Sequence, residues 1–357
     1  MDKPTVLIAA GGTGGHVFPA LAVANVLRDR DIPVVWVGSE SGLENRVVPD
    51  AGIPIRTIGV SPLRGGGLFR KPVGLLNLAK AIANSVRIVR QEKAGTVLGM
   101  GGYVSGPVCL AAKMTGCRMV VHEQNAVPGF TNRVLKRFAT RVLEAIPNTF
   151  VGDEKVACTG NPVRRELLSV APPEERYSER QGPLRILVVG GSQGARALNE
   201  IVPAALAQVA DPVEVLHQCG ARWLEDTSAR YQKINVASDV TVEEFIKDMA
   251  SAYAWADLIV CRSGAMTVAE IAAVGVASVL IPYPSAVDDH QTANGAFLVA
   301  ANAATLIQEP ELTADSLASY IKNIDRESLK AMACRARQIS MRDATDRVVA
   351  ELTGVAA

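Results

Sequence analysis

Two short glycine-rich turns, about half a chain apart, contain the residues that are best suited to chemistry. The first turn is Gly11-Gly12-Thr13-Gly14-Gly15-His16, and the second is Gly190-Gly191-Ser192-Gln193-Gly194. Each follows an apolar run and precedes a helix-like pattern. Backbone N–H groups and the positive end of a helix dipole then meet at one point, which is an arrangement that binds phosphate. The sequence therefore predicts two nucleotide-binding-type α/β domains.

His16 stands where the first predicted helix begins, next to glycines that leave its ring uncovered. A lone histidine is more often structural, but a polar residue at the mouth of an α/β crevice is also where a proton-transfer group would lie. The nearby helix dipole favours the neutral, basic imidazole. We therefore treat His16 as a candidate general base, with a structural role as the alternative.

The second turn has the Gly-x-Ser-x-Gly spacing of a hydrolase nucleophile elbow at Ser192. Asp288 or Asp289 and His290 follow in the order of a hydrolase triad. The first turn repeats the same unit without a nucleophilic serine, which favours an anion-binding hydroxyl at Ser192. Glu270 lies about one and a half turns into a later helix, where a carboxylate can accept hydrogen bonds from a ribose diol or stabilise the helix dipole.

Other uses of the glycine turns fit less well. Glu40 ends the next predicted strand where a dinucleotide fold has its ribose acid, yet Val17 replaces the third fingerprint glycine or alanine. A P-loop is excluded because no Gly-Lys-Ser/Thr follows either turn. The 4 histidines show no paired ligand spacing, so no metal site is expected. The 6 cysteines lack a Cys-x-x-Cys pair, as is typical of reduced cytosolic thiols.

The elements that must position these residues alternate between apolar strand-like runs and helical patterns. Strands are predicted near residues 6–10, 33–38, 53–58, 96–98, 118–122 and 141–143, and again from 184, at 213–217, 258–261 and 277–281. This alternation favours parallel sheets with right-handed crossovers. Polar motifs at 99–107 and 122–125 end two strands of the first sheet, beside the first glycine turn. The proline-bearing stretch 172–183 is predicted to be a linker, and a helix at 343–352 has no strand after it.

Bulk properties limit the class of protein. A chain of 357 residues is long for one core, and 37 Lys+Arg against 36 Asp+Glu give no global charge that favours nucleic acid. The apolar stretch 265–284 is divided by Glu270, Gly275 and Pro282 into helix, turn and strand, so it is not expected to cross a membrane. Residues 63–90 mix cations such as Arg70, Lys71 and Lys80 with leucines. They predict either an interfacial helix on an anionic membrane surface or an ordinary surface helix.

The motifs, taken in order, resemble the MurG family, bacterial UDP-N-acetylglucosamine transferases that complete the lipid-linked peptidoglycan monomer. The resemblance covers nearly the whole chain and is carried by residues 11–19 (GGTGGHVFP), 101–107 (GGYVSGP), 122–125 (HEQN), 160–164 (GNPVR), 190–195 (GGSQGA), 252–257 (AYAWAD) and 289–291 (DHQ). It implies an α/β GT-B fold of two Rossmann-like domains with a cleft. The implied domains are residues 1–163 with a C-terminal helix at about 341–357, for the acceptor and the membrane, and 164–340 for the donor.

The resemblance also implies inverting transfer, without a metal or cofactor, from UDP-N-acetylglucosamine to the C4 hydroxyl of the muramoyl sugar of lipid I. The enzyme would act on the cytoplasmic face of the inner membrane. The implied donor contacts are Ser192 on the diphosphate, Glu270 on the ribose, the Ile246 backbone and Arg164 on the uracil, Ala265, Met266, Thr267, Val268 and Ala269 along the nucleotide, and Gln291 on the sugar. Asn125 would also touch the sugar. Thr13, Gly14 and Gly15 would complete the mouth, with His16 as general base.

Related UDP-sugar chemistry is the main alternative to this assignment. A UDP-N-acetylglucosamine 2-epimerase, or a transferase to another lipid, would need the same donor contacts. A nicotinamide dehydrogenase and a serine hydrolase are the less favoured classes. The assignment of the sugar contact to Gln291 rather than to His290 depends on a loop, residues 285–290, that varies in the family.

Overall fold

The computed structural model describes residues 3–60, 71–178, 180–234 and 238–354. The chain forms two compact units, Met1–Arg164 together with Met341–Ala357, and Arg165–Ser340. Each unit is built around a parallel β-sheet with helical crossovers. This agrees with the alternation of apolar runs and helical patterns in the sequence.

The sheet of the first unit has the strand order β3-β2-β1-β4-β5-β6-β7. Its strands are β1 Thr5–Ala9, β2 Val34–Ser39, β3 Ile55–Ile58, β4 Ala94–Gly99, β5 Arg118–Glu123, β6 Arg141–Glu144 and β7 Val156–Cys158. The order reverses at β1, because β2 lies on one side of it and β4 on the other. Ligands of open α/β sheets bind outside the carboxyl ends of the strands at such a reversal.

Helices cover both faces of this first sheet. They are α1 Gly14–Asp29, α2 Glu44–Asp50, α3 Lys71–Gln91, α4 Gly102–Thr115 and α5 Phe130–Leu135. Along β1, Val6 and Ile8 belong to one apolar cluster, while Leu7 and Ala9 belong to the other. Successive strand side chains point to opposite faces, so a doubly covered strand is apolar throughout. That is why β1 appears in the sequence as an unbroken apolar run.

The last helix of the described chain, α15 Ala344–Thr353, packs on α1 of the first unit. Val348, Val349 and Leu352 are buried in the same apolar cluster as Ile8. Glu351 accepts two hydrogen bonds from the Arg141 guanidinium, at 2.9 and 2.7 Å. These bonds hold the pKa of Glu351 below its usual range.

The sheet of the second unit has the order β10-β9-β8-β11-β12-β13 and reverses between β8 and β11. Its strands are β8 Leu184–Val189, β9 Val213–Gln218, β10 Ser238–Glu243, β11 Leu258–Cys261, β12 Ala277–Leu280 and β13 Thr305–Leu306. The helices of this unit are α6 Arg165–Leu168, α7 Pro173–Ser178, α8 Arg196–Leu206, α9 Leu224–Lys233, α10 Met249–Trp255, α11 Ala265–Val274, α12 His290–Ala300, α13 Ala314–Asn323 and α14 Arg326–Gln338.

The expectation that residues 172–183 form a linker is wrong. Half of this stretch is α7, whose Arg176 and Tyr177 are buried in the second unit. The Arg176 guanidinium donates to the carbonyls of Val274 and Gly275, at the end of α11. Tyr177 donates its hydroxyl proton to the Asp257 carbonyl. The polar composition that suggests a linker therefore serves to satisfy carbonyl groups at a helix C-terminus.

The apolar stretch 265–284 forms α11, a turn and β12, as the sequence predicts. Gly275, at the turn, has a φ of +71°. Within the ranges that the structure describes, no helix combines the length and the apolar character needed to span a membrane. Residues 63–70 of the predicted interfacial segment lie outside the described residues.

Candidate active site

The first glycine turn connects β1 to α1 at the reversal of the first sheet. Thr13 is the N-cap of α1 in extended geometry, and its carbonyl accepts hydrogen bonds from the N–H groups of His16 and Val17. Gly14 and Gly15 form the first helical turn, so His16 is the third residue of α1. The structure thus brings these predicted residues together at one helix N-terminus.

Glu44, which sequence reasoning missed, is hydrogen-bonded to this turn. Its buried carboxylate accepts hydrogen bonds from Gly12 N at 3.1 Å, from Ser39 N at 2.9 Å and from Ser39 Oγ at 2.6 Å. Burial raises the pKa of Glu44, but these hydrogen bonds outweigh it and the pKa is lowered. A Cβ on Gly11 would lie only 2.5 Å from Glu44 Oε1, so the support requires glycine there.

The His16 ring is hydrogen-bonded to the segment that follows β5. His16 Nδ1 lies 3.1 Å from Gln124 Oε1, and Gln124 Nε2 lies 3.1 Å from Nδ1 of His122. Gln124 Nε2 also donates to the Met100 carbonyl at 2.9 Å, and His122 Nε2 lies 3.0 Å from the Gly160 carbonyl. The sequence placed polar groups at these strand ends but gave no sign that Gln124 reaches His16.

Glu123 is buried and its hydrogen-bonding capacity is used within the first unit. Oε1 accepts from the backbone and side-chain nitrogens of Asn125, at 3.0 and 3.1 Å. Oε2 accepts from Gly129 N at 3.1 Å and from Asn132 Nδ2 at 2.8 Å. Glu123 therefore orients Asn125, one of the predicted substrate contacts, and is not placed to act as a base.

Arg164, predicted to cover a uracil face, is the last residue of the first unit before Arg165. Its guanidinium carbon lies 5.9 Å from the centre of the Phe18 ring on α1. A cation at this distance from an aromatic face is weakly attracted to it. Arg164 therefore contacts α1 at Phe18, two residues after His16.

The second glycine turn connects β8 to α8 at the reversal of the second sheet. Gly191 and Gly194 have φ values of +84° and +72°, and Gly194 N donates to the Gly191 carbonyl at 2.8 Å. A Cβ on Gly194 would lie 1.9 Å from the carbonyl oxygen of Cys219. This distance is too short for any side chain, so the position requires glycine. The turn therefore presents Ser192 as an exposed residue ahead of the N-terminus of α8.

The hydrolase alternative finds no support in this geometry. The buried His217 of this unit is hydrogen-bonded to Tyr231 and Asn199 and not to Ser192. A serine nucleophile needs an adjacent general base. An anion-binding hydroxyl at a helix N-terminus does not.

The N-terminus of α11 lies beside the second glycine turn, because β11 pairs with β8. The predicted nucleotide-lining residues form its first turns. The Val268 side chain is buried in the core. Its N–H donates to the Gly264 carbonyl. Glu270 is 8% exposed and accepts a hydrogen bond from the Tyr253 hydroxyl at 3.1 Å. The predicted residues at this helix are Ala265, Met266, Thr267, Val268, Ala269 and Glu270.

The remaining predicted contacts lie on two other segments of the second unit. Ile246 follows β10, and its side chain is buried. Gln291 is in the first turn of α12, and its Oε1 accepts from Tyr283 N at 2.9 Å. Asp288 and Asp289 precede it with φ values of +54° and +49°. Within the described ranges, no three His, Cys, Asp or Glu side chains are grouped as metal ligands.

The chain matches two consecutive family domains. The glycosyltransferase family 28 N-terminal domain matches residues 6–144, and the glycosyltransferase family 28 C-terminal domain matches residues 185–348. Each matched range contains one of the two glycine turns. The match confirms that the chain has the domains of a glycosyltransferase.

Relatives from other bacteria match nearly the whole chain. The UDP-N-acetylglucosamine--N-acetylmuramyl-(pentapeptide) pyrophosphoryl-undecaprenol N-acetylglucosamine transferases of Burkholderia pseudomallei (strain 1106a) and Burkholderia thailandensis are each 49% identical over 99% of this chain and 96% of their own length. The crystal structure of Acinetobacter baumannii MurG is 44% identical, with a TM-score of 0.87 over 99% of this chain and 100% of that chain.

These likenesses confirm the fold class, two Rossmann-like parallel-sheet units of the GT-B kind, and the resemblance that the motifs indicated. Both family domains are present in order, and the relatives match 99% of the chain, which includes both glycine turns. The chain therefore belongs to glycosyltransferase family 28 and, within that family, to the MurG transferases.

Proposed function

We propose that this chain transfers N-acetylglucosamine from UDP-N-acetylglucosamine to the C4 hydroxyl of the muramoyl sugar of lipid I, with inversion at the anomeric carbon. The observation that carries the proposal is a glycine turn at the reversal point of each sheet, one with an adjacent histidine and one with an adjacent serine. The relatives named for this reaction match the chain from end to end.

Most of the proposed donor contacts belong to the second unit, whereas Arg164 is the last residue of the first segment of the other unit. The exposed Ser192 hydroxyl and the amides of its turn would hold the diphosphate, because the N-terminus of α8 favours an anion there. Such preorganised donors stabilise the negative charge that develops on a leaving diphosphate. Glu270, oriented by Tyr253, would accept from the ribose diol. The Ile246 backbone, Arg164 and Gln291 would contact the uracil and the sugar.

The acceptor side belongs to the first unit. A hydroxyl attacks an anomeric carbon more readily when a base removes its proton as the bond forms. His16 is the candidate base, because it stands at the N-terminus of α1 with one ring nitrogen already hydrogen-bonded to Gln124. Asn125, held by Glu123, would contact the sugar beside Thr13, Gly14 and Gly15.

The donor contacts can be tested by UDP binding. We expect Ser192→Ala and Glu270→Ala each to weaken UDP binding by about tenfold or more, because a hydrogen bond to a charged group is worth roughly 1.5–3 kcal/mol. Isothermal titration calorimetry measures the affinity. Ser319→Ala and Glu327→Ala change exposed residues on α13 and α14 and serve as matched controls. Unchanged UDP affinity in both test variants would exclude the nucleotide site from this unit.

The reaction class can be tested with labelled donor. With radiolabelled UDP-N-acetylglucosamine and lipid I, we expect the label to move into the lipid fraction, and without lipid I to stay on the nucleotide. Interconversion of the label between two UDP-sugars would indicate an epimerase instead. A change in NADH absorbance would indicate a dehydrogenase.

We further propose that the first unit binds an anionic membrane surface on the cytoplasmic side, since its acceptor is a lipid. Exposed apolar side chains support this on α5 and the turn after it, where Phe130, Val134 and Phe138 are 65%, 40% and 43% exposed. Phe130 and Val134 are four residues apart, which places them on one face of α5, and Phe138 follows in the turn. Arg133 and Arg137 are exposed beside them. Apolar side chains among cations suit the interface of an anionic bilayer.

If these apolar side chains bind the membrane, charged substitutions there should weaken binding to lipid vesicles. We expect the double variant Phe130→Glu/Phe138→Glu to weaken co-sedimentation with phosphatidylglycerol vesicles by at least about tenfold, because each buried aromatic contributes roughly 1.5–3 kcal/mol. Val299→Glu changes an exposed apolar residue of the second unit and serves as the control. If the double variant binds vesicles as the unchanged protein does, α5 is an ordinary surface helix.

A further inference from the structure

We propose that Gln124 is a positioning residue that holds His16 in the tautomer with its proton on Nδ1, so that the lone pair lies on Nε2. The inference rests on the proposed role of His16 as the base and adds the group that prepares it. Its basis is a set of hydrogen bonds that includes two backbone carbonyls, which can only accept.

The first fixed group is the Gly160 carbonyl, 3.0 Å from His122 Nε2. A carbonyl only accepts, so His122 must carry its proton on Nε2. His122 is fully buried, and this burial lowers its pKa to about 4, so the ring is neutral near pH 7. A neutral ring protonated on Nε2 has a lone pair on Nδ1. His122 Nδ1 therefore accepts a hydrogen bond from Gln124 Nε2, 3.1 Å away.

The second fixed group is the Met100 carbonyl, which accepts from Gln124 Nε2 at 2.9 Å. Both amide protons of Gln124 are thus directed to acceptors, Met100 O and His122 Nδ1. The reversed amide would place its oxygen against two lone pairs in a buried site, at the cost of leaving those groups unsatisfied. The orientation of the Gln124 amide therefore follows from its neighbours.

Gln124 Oε1 then faces His16 Nδ1 at 3.1 Å. An amide oxygen only accepts, so His16 Nδ1 must be the donor. In the neutral ring the lone pair is left on Nε2, which forms no hydrogen bond with a described residue. A partner on one ring nitrogen fixes which nitrogen is basic, as a carboxylate does behind the histidine of a serine hydrolase triad. Here the partner is a neutral amide.

The tautomer can be observed directly by NMR of protein labelled with ¹⁵N-histidine, in which protonated and unprotonated ring nitrogens have separate shifts. The chain has 4 histidines, and the spectrum of His16→Gln identifies the His16 signals by their absence. We expect the unchanged protein to show a protonated Nδ1 and an unprotonated Nε2 at His16. A proton on Nε2 in the unchanged protein would overturn the proposal without any further variant.

Gln124→Leu should remove the acceptor and allow the proton to move to Nε2 of His16. Its kcat should fall by roughly 10- to 100-fold with the KM for UDP-N-acetylglucosamine nearly unchanged, since only the partner behind the reacting ring is lost. Asn132→Ala removes a buried amide on α5 that donates to the His122 carbonyl and to Glu123 but not to His16, so it should leave the tautomer unchanged.

The outcomes separate this proposal from the proposed function. If Gln124→Leu leaves the His16 tautomer unchanged, Gln124 does not position the ring, whatever the role of His16. If the tautomer changes but kcat does not, Gln124 positions a ring that is not the base. In that case the proposed role of His16 fails, while the hydrogen-bond assignment holds.

Discussion

His16→Ala is expected to lower kcat for transfer to lipid I by roughly 10²–10⁴-fold, the usual contribution of a general base. The base acts on the acceptor hydroxyl only as the new bond forms, so its loss removes transition-state stabilisation. The donor contacts lie in the other unit, on Ser192 and α11. The apparent KM for UDP-N-acetylglucosamine should therefore change little, and initial rates over a range of donor concentration measure both constants.

His16→Gln is the matched variant for this prediction, because an amide can hydrogen-bond but cannot take a proton. It should not restore the rate. If both variants keep most of their turnover, His16 is a structural residue of the α1 N-terminus and the base lies elsewhere. Glu123 is then a poor substitute, because both its oxygens already accept hydrogen bonds from the backbone and from Asn125 and Asn132.

The central strands could be predicted from sequence because both faces of the sheets are covered. A strand buried on both sides is apolar at every position, and the expected strands at 6–10, 118–122 and 258–261 agree with β1, β5 and β11 within one residue. The sequence analysis missed β7, β10 and β13. These are edge strands or very short, and β10 (SDVTVE) alternates with polar residues that resemble a loop.

The parts of the site that follow strand ends were predictable, whereas the parts that depend on contacts between distant segments were not. Each glycine turn follows the first strand of its sheet, β1 or β8, and the strand order reverses at that strand. The contact of His16 with Gln124 joins residues 108 positions apart, and that of Gly12 with Glu44 joins residues 32 apart. No local pattern encodes such pairs. Their side chains are buried polar groups whose partners become apparent only in the folded unit.

The C-terminal helix α15 is expected to be essential for the stability of the first unit. Its Val348, Val349 and Leu352 are buried against the core, and burial of such side chains contributes about 1.5–3 kcal/mol each. That is a large fraction of a typical stability of ~5–15 kcal/mol. The Leu352 carbonyl also accepts from Thr96 Oγ1 at 3.3 Å, and the Glu351 carbonyl from Arg118 at 3.0 Å.

Val348→Asp in the full chain should therefore lower the free energy of unfolding of this unit by more than about 3 kcal/mol, because it buries a carboxylate where the neighbours are apolar. Urea unfolding followed by circular dichroism measures the change, and limited proteolysis identifies which unit opens. Asp346→Ala is the matched control on the same helix. It removes only an exposed ion pair with Arg30, for which about 0–1 kcal/mol is expected. Equal stability of the two variants would mean that α15 packs on the first unit without stabilising it.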